Sequence, residues 1–161
     1  MKKNIIFSML LFLSCNQQPE NIEKKFNTLK NLDYSEFVNM SFAIRGGNYY
    51  VTYKEQQLRV EYNFLTKRIH IEKAFSKDKD ITLSNNDIET IRRVVIAFSK
   101  MKIFSLGVDA KGNVYVSIFW NDYCTYHFLK LSPNNSLEEI KKQYYQPYKE
   151  DWYLDEECSG R

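Results

Sequence analysis

The chain has 161 residues, 43% hydrophobic, 16% aromatic and 27% charged, with a formal net charge of +3. That length suits one domain with a real core, and 5 Gly and 3 Pro beside 12 Tyr and 11 Phe exclude a disordered or low-complexity chain. The positive charge does not point to nucleic acid, because Lys2 and Lys3 carry most of the excess and no basic stripe with interleaved aromatics occurs.

The first element is a leader. Met1-Lys2-Lys3-Asn4 is a short basic start, Ile5 to Leu13 is almost unbroken apolar sequence, and Ser14-Cys15 closes the run before polar Asn16-Gln17-Gln18. A basic start, a short apolar run and a small residue at its end make a secretory signal. The run is too short to span a bilayer, which takes about 20 apolar residues. Within it, Phe12-Leu13-Ser14-Cys15 resembles the lipobox of bacterial lipoproteins. The resemblance implies a diacylglyceryl group on the Cys15 sulfur and cleavage just before it. Residues 1–14 are then the signal peptide, and Cys15 is the anchor to the membrane. Asn16 stands where that family places Asp for inner-membrane retention, which points to an outer membrane facing the periplasm where the cell has one. The competing readings are an ordinary secretory signal, which wants a pair of small residues before the cut, and a buried N-terminal helix of a cytosolic protein.

Residues 15–19 form a short tether, and residues 20–161 are expected to form a single α+β domain. Ile22, Phe26 and Leu29 recur at helical spacing and predict a helix near 20–31. Asp33 and Glu36 suit one further turn. From Met40 the period becomes two. Met40, Phe42 and Ile44 predict a strand, Gly46-Gly47-Asn48 a turn, and Tyr49 to Lys54 the next strand. Leu58, Val60, Tyr62 and Phe64 alternate with polar residues, as do Ile69 and Ile71. Such alternation gives each strand one buried and one wet face, which favours an antiparallel meander.

Lys77 to Asp80 is a charged loop. Ser84 and Asp87 make a capping-box-like pair ahead of a helix whose apolar stripe is Ile88, Ile91, Val94, Val95, Phe98 and Met101. A second meander follows. Phe104 to Asp109 is a strand, Asp109 to Asn113 a hairpin loop, and Val114, Val116, Ile118 and Trp120 one face of the next strand. Asn121-Asp122 then turns the chain into a strand over Tyr123 to Leu131. Ser136 and Glu139 predict a capping box for a last helix with Leu137, Ile140 and Tyr144 on one side, stopped by Pro147. An acidic aromatic tail remains. The expected architecture is an antiparallel sheet of about seven strands in two meanders, order α-ββββ-α-βββ-α, with helices on one face.

No catalytic signature stands out, and no cofactor or metal is implied. His70 and His127 have no metal-ligand spacing, and there is no GxSxG or Gly-rich phosphate loop. Cys124 and His127 lie three apart on a strand, so their side chains point to opposite faces. Asp78, Asp80 and Asp155-Glu156-Glu157 match no calcium loop and read as solvated surface. With Cys15 lipidated, Cys124 and Cys158 remain as an even pair that an oxidising envelope allows to bridge. The alternative is a packed Cys124 and a free Cys158 in a tail. Tyr148, Trp152 and Tyr153 are the candidate binding patch, and packing of the tail onto the sheet is the competing use of the same rings. The reading is a lipid-anchored envelope protein whose domain binds, inhibits or assembles with an envelope protein. The alternatives are an envelope hydrolase whose site is scattered in sequence, and a glycan or small-ligand binder.

Overall fold

A computed structural model describes residues 22–75, 83–119, 124–133 and 135–158. The leader with Cys15, the tether, the loop over 77–80 with Asp78 and Asp80, and the turn over 120–123 lie outside the described residues. The elements are α1 (Ile22–Leu29), β1 (Met40–Arg45), β2 (Asn48–Tyr53), β3 (Gln56–Tyr62), β4 (Ile69–Lys73), α2 (Asn85–Met101), β5 (Ser105–Val108), β6 (Val114–Phe119), β7 (Cys124–Lys130), β8 (Gln146–Lys149) and β9 (Trp152–Cys158). The strands form one antiparallel sheet in the order β4-β3-β2-β1-β5-β6-β7-β9-β8. The fold is therefore of the α+β type.

Period-two patterning accounts for the sheet. Leu58, Val51, Phe42, Leu106, Val116, Phe128 and Leu154 are successive register partners across seven strands. All of them except Leu154 are buried, and Leu154 packs against the same core. Both helices cover this face. Phe26 of α1 stacks on Phe128 at 5.1 Å, and Phe98 of α2 stacks on Phe42 at 5.2 Å. A 3-10 turn over Ser35–Phe37 fills the space between them with Phe37, edge-on to Phe42. The β1–β2 connection uses Gly46 and Gly47 at φ +54 and +79, the mirror-image turn whose twist matches a two-residue hairpin.

The start of α2 is tied to the sheet. Ser84 and Asp87 form the expected capping box. The Asp87 carboxylate also accepts from the Tyr53 hydroxyl at 2.7 Å and the Lys54 ammonium at 2.7 Å. These bonds hold its carboxyl well below the usual carboxylate range, with Lys54 the largest influence, then Tyr53 and Ser84. A folded-state value below the unfolded one near 3.8 means the stabilisation is complete above the unfolded value. It is lost as pH falls through the folded value. The urea midpoint of Asp87→Asn should therefore fall less than that of the wild type between about pH 4 and about pH 2. Parallel acid limbs in the two proteins would rule this out.

The C-terminal third departs from the sequence expectation. Among the described residues there are nine strands, not about seven, and the order is α-ββββ-α-βββββ. The last helix does not extend. Ser136 and Glu139 do exchange their capping-box bonds, at 3.1 and 3.3 Å. The turn ends at once, however, because Lys142 N–H reaches back to the Leu137 carbonyl, Lys141 N–H bonds the Glu138 carbonyl, and Lys141 takes φ +56. That is a Schellman stop after a single turn. The chain then supplies β8 and β9. Pro147 sits in β8, at the edge of the sheet, where its missing N–H is tolerated. The acidic aromatic tail is β9, paired with β7 over seven residues.

Candidate functional site

The alternate phase of each strand makes the second face of the sheet, which carries neither α1 nor α2. At the β6–β7–β9 end the chain after β7 folds over it. Buried Asn113 accepts from Ser132 N–H and from the Asn135 amide and donates to Asp109 at 2.7 Å, fastening this segment to the β5–β6 loop. Leu129 and Tyr145 are buried here, outside the main core. Burial pushes the Tyr145 hydroxyl up, with Tyr144, Asp155 and Tyr115 nearby adding to it.

Three strands bring a polar relay together on this face. Ser117 Oγ of β6 lies 2.9 Å from His127 Nδ1 of β7, and His127 Nε2 lies 3.5 Å from Glu157 Oε2 of β9. Serine, imidazole and carboxylate in sequence form the constellation that activates a hydroxyl nucleophile. Two features argue against hydrolysis. Ser117 sits mid-strand with neighbours on both sides, so its backbone amides serve the ladders and leave no donor pair for an oxyanion. Glu157 is 80% exposed while His127 is 26% exposed, so the carboxylate is solvated and orients the imidazole weakly. Sequence reasoning set His127 on the opposite strand face from Cys124 and did not connect it to Ser117 or Glu157. The polar phase of the three strands was the available signal, but their pairing was not.

A second arrangement occupies the β1–β2–β3 part of the same face. Phe75, just after β4, stacks on Tyr50 of β2 with ring centroids 5.4 Å apart and planes 19° apart. The pair walls a cavity of about 200 Å³ lined by Ser41, Ala43, Arg45, Thr52 and Gln57 among others. Ser41 Oγ donates to Thr52 Oγ1 at 2.9 Å across the floor. Next to it, Arg59 is engaged by both Glu61 and Glu72. His70 lies 3.9 Å from Glu72 on the same polar side and is exposed.

The sequence-derived aromatic candidates do not form one surface. Trp152 is 1% exposed in the core, edge-on to Phe26 at 5.6 Å. Tyr148 packs against Phe26 and Phe128 on the same side. Tyr153, the next residue after Trp152 on β9, projects to the opposite face beside Leu129. Asp155, Glu156 and Glu157 belong to a paired strand, where Glu156 accepts from the Tyr126 hydroxyl at 3.2 Å. Cys124 is disulfide-bonded, and the Cα register sets it directly opposite Cys158. No three metal-binding side chains converge among the described residues. In comparisons with known proteins, no family model, no curated protein and no solved structure matches this chain.

Proposed function

We propose that the chain is a lipid-anchored protein of the bacterial cell envelope, held by Cys15, whose domain binds a partner and does not catalyse a reaction. The observation that carries this reading is the bonded Cys124 opposite Cys158. A Cys124–Cys158 bridge persists in an oxidising compartment and not in a reducing cytosol. The leader, read independently, addresses the chain to that same compartment. With that pair bridged, Cys15 is the cysteine left for lipid. The binding role is supported by the second sheet face, which offers a walled cavity, while among the described residues the backbone at Ser117 is taken up by strand pairing on both sides. Fractionation of cells expressing the full chain tests the anchor. Wild type should take up labelled fatty acid and pellet with membranes, and Cys15→Ser should lose both. Pulldown from solubilised membranes should then recover a partner with the wild type alone. An unlabelled wild type, or turnover of peptidoglycan, peptide or ester by the purified protein, would overturn the reading.

A further inference from the structure

We infer that the cavity beside Tyr50 and Phe75 is a binding site for an acidic sugar, a pyranose ring carrying a carboxylate. The inference rests on the binding reading above and names the ligand class. Four features of different chemistry converge on one place.

The first is the aromatic wall. Phe75 is 76% exposed, yet it is held in a fixed attitude. The Ala74 N–H bonds the Gln57 carbonyl at 2.8 Å, and one ring face lies on Tyr50. The ring thus reaches from the end of β4 across β3, presenting a flat apolar surface to solvent. Such a surface suits the C–H face of a pyranose, whose other face is polar. The second feature is the floor. The Ser41 and Thr52 hydroxyls share one hydrogen bond, so the pair keeps one hydroxyl hydrogen to donate and lone pairs to accept. The exposed Gln57 amide adds a donor and an acceptor at the rim. These groups match the alternating demands of ring hydroxyls.

The third feature is charge. Arg45 is the one charged residue among the described residues that line the cavity, and it is exposed. The neighbouring Arg59 is already compensated by Glu61 and Glu72. The two carboxylates on Arg59 leave one negative charge beside the cavity, so it is Arg45 itself that offers an anion a partner, and a guanidinium matches a carboxylate with two parallel N–H donors. The fourth feature is size. A volume of about 200 Å³ is below the roughly 300–1,000 Å³ of pockets that enclose drug-sized ligands, so the site seats one ring while the rest of a glycan runs over the sheet.

Two envelope materials carry this chemistry: uronate-bearing polysaccharide, and peptidoglycan glycan whose lactyl carboxylate is freed where the stem peptide has been removed. Calorimetry on the full chain in detergent, with a glucuronate-containing tetrasaccharide, soluble peptidoglycan fragments and neutral cellotetraose, separates them. At least one acidic probe should bind about tenfold or more tighter than the neutral one. Phe75→Ala should weaken that binding by about tenfold, and Phe75→Tyr should restore it, since the wall is kept. Arg45→Gln should erase the preference for acid over neutral sugar. Both residues are exposed, so an unchanged unfolding midpoint will show that the variants fold. Equal binding of acidic and neutral probes, or full binding by Phe75→Ala, overturns the inference. If no acidic probe binds while partner capture persists, the sugar site falls and the binding reading stands.

Discussion

Trp152→Ala should lower stability by about 3–5 kcal/mol, the range for truncating a buried aromatic. Trp152 is the largest of the fully buried side chains and closes the core beneath α1. Phe26 meets it edge-on, Tyr34 lies 6.2 Å away at 64°, and the Lys130 ammonium sits 5.9 Å from its ring centre. Its indole N–H has no hydrogen-bond partner. The loss on truncation is therefore one of packing, and Trp152→Phe, which keeps a ring and removes the unpaired donor, should lose far less. The measurement is urea unfolding of both variants, with a lower midpoint at unchanged slope. A Trp152→Ala protein within about 1 kcal/mol of wild type would mean that the residue is not a core anchor.

Cys124→Ser should cost about 3.5–4 kcal/mol, the chain-entropy value for opening a loop of about 34 residues. The geometry favours the full effect. The two cysteines are direct register partners on adjacent antiparallel strands, so closing the bridge needs no backbone shift. Cys158→Ser should lose the same amount, and the double variant no more than either alone, because all three remove one bond. Reductant should lower the wild-type midpoint to that of the variants and leave the variants unmoved. A wild type indifferent to reductant would show that the bridge does not form.

Local patterning predicted the first two-thirds of the fold well. β1 to β4 follow from strict alternation, and the Gly46-Gly47 turn from a backbone that requires positive φ at both positions. The start of α2 follows from Ser84 and Asp87, three apart, where the bonds are short-range in the chain. The same local logic misled at Ser136 and Glu139. Their capping bonds form, but a cap satisfies one turn and does not commit the residues beyond it. Trp152, Leu154 and Phe128 find each other across a gap of more than twenty residues, and burying them in the sheet outweighs prolonging a short helix. The acidic residues 155–157 concealed this strand, since charge suggested a solvated tail.

The candidate sites were less legible. Phe75 and Tyr50 are 25 positions apart, and no periodicity connects a residue after β4 to the middle of β2. Ser117, His127 and Glu157 are likewise joined only through the pairing of β6 with β7 and β7 with β9. Residue order alone carried the class of the fold, the strands of the first meander and the phase of each face. These depend on chain-local spacing, which is set by side-chain direction along a helix or strand. Strand partners, the nine-strand count, the burial of Trp152, the apposition of Cys124 with Cys158 and the cavity beside Phe75 belong to the folded molecule. Each depends on which distant segments share a core, and that is settled by the total apolar surface the chain can remove from water at once.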